Sequence, residues 1–411
     1  MDTNTTQIMR SDDLRSENRH RILRTLRKDG PMSRAKVAAN TGLSHASLSN
    51  LLGLMTDEGI VTSSSLSSTK NKPGRPQTTV TLNEHACIAI TVSLAVDSIT
   101  VCTINYSGKT IEQKHFTVDS TALSLKQLNK LVINGIESAV SAQPKSQLKA
   151  ISVGFQGVTD SQAGELLWSP ILSIDRVPIA STLKKQFNVP VSVNNDCGLI
   201  ASALHSKQHK TLGSSFAAIL FSHGIGMGLY LSGQPFTGAH SSALELGHVQ
   251  FKENGAKCRC GKLGCIEAYA ADYGILRSAS QDTGDVQGIG KITDKQFQSL
   301  IDDASNGDTN AVNAFKLAGQ AIGAGLATVF TLLDPMPVAL VGHNADAVNL
   351  MSNEIRAALK AVGRNPTDWS HLLHCYNDDT PMLLDGLILD VMSLVDREFA
   401  MNSDTTESSP A

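Results

Sequence analysis

Several features that mark other protein classes are missing from this 411-residue chain. Met1–Arg10 is polar and holds no apolar segment, so a secretory signal peptide is not expected. No uncharged apolar run reaches the length of a membrane span, which argues against membrane insertion. No period of about 20–50 residues recurs, so repeat architectures are set aside. Low complexity is confined to Ser63–Ser68 and to the polar tail after Asn402. Cysteine is scarce and odd in number, seven in all, which excludes a full disulfide framework. Cys87, Cys102, Cys197 and Cys375 are scattered among apolar runs, where reduced buried thiols are expected. The expected compartment is the cytoplasm.

Net charge is also low, at −3, but it is unevenly spread. Residues 1–82 carry 12 Lys and Arg against 7 Asp and Glu, and the remainder carries 23 against 31. A basic head on an acidic body points to a polyanion-binding domain joined to a domain with another task. Within the head, Ile22, Leu23 and Leu26 share a helical face in Ser16–Lys28, with Arg15, Arg19, Arg21, Arg24 and Arg27 around the rest. Gly30-Pro31 stops that helix, Ser33 can cap a second over Arg34–Thr41, and Gly42 turns the chain. Ser44 then caps a third helix on which Leu48, Leu51, Leu52 and Met55 recur at helical spacing. This is the pattern of a helix-turn-helix with the third helix in the recognition position. His45, Ser47, Ser49 and Asn50 are short polar residues suited to base edges and phosphates of double-stranded DNA. Ile60-Val61 and Thr79–Leu82 flank a wing hairpin, whose Lys70, Lys72 and Pro73-Gly74-Arg75-Pro76 present Arg75 to a minor groove.

The densest chemistry lies much later. His248 stands ten residues before Cys258, and Cys260 and Cys265 follow within the next seven. Three thiols and an imidazole are the soft ligand set that tetrahedral zinc prefers. Gly261 and Gly264 allow the tight folding that would bring the sulfurs to one centre. Lys257, Arg259 and Lys262 would help stabilise the thiolates. Four protein ligands close such a site, so its expected role is structural. Glu245 and Glu267 flank it and would be held in place by the metal.

Beyond residue 83, β-rich runs alternate with helical ones. Ile88–Ile104, Ala150–Phe155, Val189–Val193, Ala217–Leu231 and Val338–Val341 read as strands. Leu123–Val140, Asn310–Phe330 and Pro381–Leu394 read as helices. The expectation is an α/β body in two lobes. Glu245-Leu246-Gly247-His248 with Cys258-x-Cys260-Gly261-x-x-Gly264-Cys265-x-Glu267 resembles the ROK family of sugar kinases and sugar-responsive repressors. Gly154-Phe155-Gln156-Gly157 resembles its first sugar-side loop, and Asn194-Asn195-Asp196 its Asn-Asp motif, whose aspartate is the kinases' base. The helix-turn-helix resembles the repressor branch. The resemblance implies two actin-like ATPase (ribonuclease H-like) lobes, at 83–205 and 206–380, behind a winged helix-turn-helix at 1–82. A C-terminal helix at 381–397 would pack back on the first lobe, ahead of a disordered tail at 398–411.

Departures from the family pattern matter as much. Where kinases carry Asp-x-Gly-Gly-Thr to cradle ATP phosphates, this chain has Ser93, Ala95, Val96 and Asp97, and an anionic Asp97 would repel phosphate. The second phosphate loop is Ser222-His223-Gly224-Ile225-Gly226, and the adenosine-side glycine pair is Gly342-His343. ATP binding and phosphoryl transfer are therefore not expected, and no catalytic residue is assigned. The sugar side is intact: Gly157, Asn195, Asp196, Glu245, His248 and Glu267 match family positions that bind hydroxyls. The resemblance implies a DNA-binding regulator, a repressor by expectation, that answers to a sugar or sugar phosphate. Half-site reading would require a homodimer or homotetramer. A kinase with an extra domain and a regulator gated by a protein partner remain the alternatives.

Overall fold

The computed structural model describes residues 11–65, 78–238, 244–280, 292–342, 345–361 and 369–401. In the head, α1 (Ser11–Asp29) begins with Asp12 and Asp13 and ends with Arg27 and Lys28, charges that complement the helix dipole. After β1 (Met32–Ser33), Ser33 caps α2 (Arg34–Thr41) by accepting the Lys36 N–H. Gly42, at φ 70°, closes α2, and Ser44 caps α3 (His45–Asp57) through the Ser47 N–H. β2 (Val61–Ser65) and β3 (Thr78–Leu82) form the wing hairpin, and Met32 and Ser33 pair with Val80 and Thr79 on the other edge of β3. The wing is therefore three-stranded, because the short link between α1 and α2 runs extended. Its tip, with Lys70, Lys72 and Arg75, lies outside the described residues.

Of the arginines read around α1, Arg19 is buried and Arg27 is largely covered. Arg19 is fully covered; it donates to Glu58 Oε1 at 2.8 Å, pairs with Oε2, and donates to the Phe399 carbonyl at 2.8 Å. Arg27 grips Asp396 with two bonds of 2.7 Å and donates to the Tyr106 carbonyl at 2.9 Å. Helical periodicity places a side chain on a face; it does not reveal which distant segment will cover that face.

The first lobe is a sheet of β4 (Ile88–Leu94), β5 (Ser98–Asn105), β6 (Thr110–Thr117), β7 (Leu148–Phe155) and β10 (Val191–Asn195) in the order β10-β7-β4-β5-β6. Its first three strands run antiparallel, and β7 and β10 join parallel through crossovers, α4 (Leu125–Ser141) serving the first. The ribbon β8 (Val158–Asp160) and β9 (Glu165–Trp168), then α5 (Ile179–Phe187), lead into β10. After α6 (Asp196–Leu212) the second lobe repeats the topology. There β11 (Phe216–Phe221), β12 (Ile225–Leu231), β13 (Gln234–Pro235), β14 (Val338–Val341) and β15 (Leu373–Tyr376) lie in the order β13-β12-β11-β14-β15. The runs 88–104 and 217–231 are thus each two strands folded at a tight turn. Helices α7 (Glu267–Ala270), α8 (Asp272–Ser280), α9 (Asp294–Ser305), α10 (Thr309–Leu333) and α11 (Val348–Lys360) build the core beside this sheet. Among the described residues α10 alone is long and apolar enough to cross a membrane, and half of its apolar window is buried in that core. Lys316 interrupts the run, so counting uncharged residues passes over it.

Two helices join the parts. The expected lobe boundary at 205 falls inside α6, whose Ile200, Ala201 and Leu204 pack on Phe216, Ala218 and Tyr230 of the second sheet. The last helix, α12 (Thr380–Met401), extends past the expected tail boundary at 398 and lies against β4, β7 and β10. Its Asp390 accepts hydrogen bonds from Ser152 at 2.6 Å, from Asn194 at 2.9 Å and from Ser192. Where α12 crosses α6, Gly386 is needed: a Cβ there would stand 2.2 Å from the Leu199 carbonyl. One apolar core then runs from Ile22, Leu48 and Met55 of the head through Ala89 and Ile104 to Val391 and Val395 of α12. Cys375, expected to be buried, is exposed on the edge strand β15; Cys87, Cys102 and Cys197 are buried.

Candidate functional site

On α3, Leu48, Leu51, Leu52 and Met55 face the core, and His45, Ser47, Ser49 and Asn50 stand exposed on the opposite side. Capping ties one of them down, since the Ser44 hydroxyl donates to Ser47 Oγ at 2.9 Å. The remaining polar groups point away from the protein, as a groove-reading face requires.

In the second lobe the chain doubles back so that His248, Cys258, Cys260 and Cys265 place their ligand atoms within 4.8 Å of one another. A tetrahedral zinc with bonds of about 2.3 Å to sulfur separates two sulfurs by roughly 3.8 Å. Cys260 Sγ and Cys265 Sγ lie 3.8 Å apart, and Cys258 Sγ lies 3.7 Å from His248 Nδ1. The set fits a metal ion. Gly264 has φ 78°, and a Cβ there would lie 1.7 Å from the Lys252 carbonyl, so no other residue permits this turn. Arg277 fastens both ends of the loop, donating to the Lys257 carbonyl at 3.2 Å and to the Ala268 carbonyl. Burial raises the Cys258 and Cys265 thiols, so a cation is what would hold them as thiolates. Arg259 lies over the Tyr273 ring at 4.2 Å and donates to the His223 carbonyl at 3.1 Å.

Next to this loop the two lobes face each other. His248 turns Nε2 toward Glu245 Oε2 at 3.6 Å, and Trp168 of the first lobe meets the same imidazole edge-on, with ring centroids 5.9 Å apart. Gly157 sits at φ 127°, where a Cβ would come within 2.2 Å of the Trp168 carbonyl. Asn195 caps α6 through the Gly198 N–H and donates to the Gly157 carbonyl at 2.6 Å, so it ties the glycine loop to that helix. Asp196 is buried and accepts the Cys197 N–H at 2.8 Å. Its carboxyl is pushed up to about 7, first by burial and then by the charges of Asp379 and Glu245. Glu267 is nearly buried as well: Oε2 accepts the Ile225 N–H at 3.2 Å and Oε1 accepts the Tyr273 hydroxyl at 3.2 Å. The structure thus links Asn195 to Gly157, sets His248 beside Glu245, whose charge reaches Asp196, and ties Glu267 to Ile225 and Tyr273.

The phosphate-loop positions are occupied differently. Ala95–Asp97 forms the β4–β5 turn, where the Ala95 N–H bonds the Ser98 carbonyl and Asp97 is exposed. At the β11–β12 turn, His223 Nδ1 is hydrogen-bonded to the buried Asp272. Gly342 follows β14, and His343 lies outside the described residues. Trp168, Tyr273, Arg277 and Asp379 were not singled out from the sequence. Trp168 and Asp379 lie far along the chain from their partners, Tyr273 and Arg277 sit just past the metal motif without belonging to it, and only the tryptophan, one of two, carried any signal by rarity.

Comparisons with known proteins match the head and the body separately. The sequence profile of the ROK family matches residues 89–375, and one described as winged helix-turn-helix DNA-binding matches residues 15–62. The chain is 25% identical over 350 residues to the xylose repressor of Bacillus spizizenii, covering 84% of this chain and 86% of that one. It is 24% identical over 378 residues to the N-acetylglucosamine repressor of Escherichia coli O6:H1, covering 90% and 92%. Among solved structures, a ROK family transcriptional regulator described as a homologue of the E. coli MLC protein superposes with a TM-score of 0.76 at 20% identity, covering 94% of this chain and 99% of that one. A ROK glucokinase from Streptomyces griseus, bound to glucose and AMPPNP, superposes with a TM-score of 0.57 at 20% identity, covering 74% and 98%. The named sequence relatives are repressors, and the same body fold also serves kinases.

Proposed function

Because the chain belongs to the ROK family and carries a winged helix-turn-helix ahead of the ROK body, we propose that it is a sugar-responsive DNA-binding transcriptional regulator. In this reading it is a cytoplasmic repressor of carbohydrate uptake or catabolism genes. The observation that carries it is an exposed polar face on α3 in a head whose core is continuous with the first lobe of the ROK body. His45, Ser47, Ser49 and Asn50 would enter the major groove and Arg75 the adjacent minor groove. Two copies at least, as a homodimer or homotetramer, would read two half-sites of operator DNA.

Asp196, Glu245 and the Nε2 of His248 would receive the hydroxyls of a sugar or sugar phosphate, positioned by Gly157 and Asn195, with Glu267 bracing them from the metal loop. The metal is proposed to be zinc, on His248, Cys258, Cys260 and Cys265, holding the segment that carries Glu245 and Glu267. Phosphoryl transfer is not part of the proposal, since the turn at Ala95–Asp97 bonds to its own strand and presents a carboxylate. Reversing an operator complex from 99:1 to 1:99 needs roughly 5.5 kcal/mol of differential affinity between two lobe arrangements.

The test is selection of duplexes from a randomised library by the full chain, followed by anisotropy titration with and without D-xylose or N-acetylglucosamine. Expected are a two-fold-related site, a steep loss of affinity with salt, and release by one of the sugars. Asn50→Ala should relax base preference by about 1–3 kcal/mol at one position per half-site. Failure to enrich any sequence would refute the regulator reading. Sugar phosphate formed from ATP and magnesium, at a rate lost in Asp196→Asn, would replace it with the kinase.

A further inference from the structure

Trp168 ends β9, and its backbone is fixed from two sides. Val158 pairs with it across the ribbon, and the Ser169 hydroxyl donates to the Gln156 carbonyl at 2.7 Å. Gly157 passes so close to the Trp168 carbonyl that a Cβ there would stand 2.2 Å from it. Held this way, the half-buried indole crosses from the first lobe to the second and meets His248 at 5.9 Å and 76°. The same imidazole faces Glu245 at 3.6 Å, and Glu245 is one of the charges that act on Asp196. Trp168 of the first lobe therefore adjoins His248 and Glu245 of the second, and the charge of Glu245 reaches Asp196 at the start of α6.

A pyranose offers two kinds of surface: hydroxyl edges, which carboxylates and imidazoles bind, and a C–H face, which lies well on an aromatic ring. The acids supply the first kind of partner, and Trp168 supplies the second at the same cleft. We propose that Trp168 is the aromatic wall of the sugar site and the contact through which the first lobe closes on the metal loop. This rests on the sugar-sensing reading above and adds a residue that no sugar-side motif contains. Because the indole touches a ring that belongs to the metal loop, the side chain that stacks on the ligand also registers the lobe arrangement. Binding and closure are then reported by one residue.

The chain's two tryptophans make this measurable. Binding of D-xylose, N-acetylglucosamine and N-acetylglucosamine 6-phosphate is measured by calorimetry for the full-length protein, W168A and W168F. Intrinsic fluorescence is recorded for W369F, where Trp168 is the sole indole, and for W168F, where Trp369 is. Expected are affinity weaker on the order of tenfold in W168A, recovered in large part by W168F, with metal content equal to wild type. A sugar-dependent emission change should persist in W369F and vanish in W168F. Unchanged affinity in W168A, or an emission change carried by Trp369, overturns the assignment while leaving the sugar reading intact. No binding of any of the three sugars by wild-type protein overturns both.

Discussion

In the metal loop, three of four candidate ligands fall between Cys258 and Cys265, whereas at the α1–α12 junction Arg27 meets Asp396 across 369 positions and Arg19 meets the Phe399 carbonyl across 380. Both regions bury polar groups, and both join segments that would otherwise drift apart. The loop does so with ligands whose chemistry is conspicuous in any sequence. The junction does so with ordinary arginines that resemble solvated or DNA-facing charge. It matters more for signalling, because the head shares a core with the first lobe and with α12. The head is joined to the body both directly, through the first lobe, and through α12. That helix begins near the cleft, where Asp379 acts on Asp196, and ends on α1.

The two regions should fail differently. The largest effect is expected from Cys260→Ala, which removes one ligand of the proposed zinc. Structural zinc contributes about 10 kcal/mol or more of coupled folding energy in small domains. The second lobe should therefore melt separately and early, with metal lost by elemental analysis. Full zinc retention in that variant would break the assignment of the four ligands.

At the junction, Asp396→Ala would strand the guanidinium of Arg27, at 15% exposure, without its counter-charge. Breaking a buried pair on one side costs about 3–5 kcal/mol, and replacing both partners with apolar residues restores much of it. Thermal denaturation should show a lowered transition in D396A that the double variant R27M/D396L recovers. Operator affinity should follow the same order. If D396A melts like wild type, the shared core does not depend on this pair.

A pH-dependent effect concerns Asp196, whose neighbours include Asp379 just ahead of α12. Its carboxyl stands at about 7 in the folded chain against 3.8 ordinarily, raised by burial and then by Asp379 and Glu245. Between those values the native state holds more protons than the unfolded one, so stability falls as pH rises through that window and then levels off. Asp196→Asn should flatten this slope and stabilise the protein above about pH 7, with little change near pH 4. A hydroxyl donated to Asp196 favours the ionised form, so wild-type sugar affinity should rise up to about tenfold from pH 6 to pH 8. Calorimetry showing a flat profile in wild type would remove Asp196 from the hydroxyl contacts.

The winged head was legible because each device is local. Ser33 and Ser44 cap the helix that follows them, Gly42 adopts the left-handed turn, and Leu48, Leu51, Leu52 and Met55 repeat at helical spacing. The metal loop was legible for the same reason, and the cleft partly so, through Asn195, Asp196 and Glu245. Less was visible where one motif serves two masters. Asn195 both caps α6 and holds the Gly157 carbonyl, and Glu267 spends its oxygens on Ile225 and Tyr273. Strand runs were found whole but not divided, since the turns at 95–97 and 222–224 are too short to interrupt an apolar pattern.

By itself, then, the sequence determined the helix-turn-helix, the His/Cys set that could hold a metal, the alternation of strands and helices, and the absence of the first phosphate loop's glycines. Each is settled within a few residues by backbone conformation, side-chain period or ligand spacing. Tertiary structure alone decided that Arg19 is buried and Arg27 paired with Asp396, that Asp390 gathers three donors from the first lobe, and that Trp168 reaches His248. Those outcomes depend on which surfaces meet after the chain has folded back over hundreds of residues. Burial then turns the same charged or aromatic side chain from a solvated group into a structural one, because desolvation makes an unpaired charge far more costly than water does.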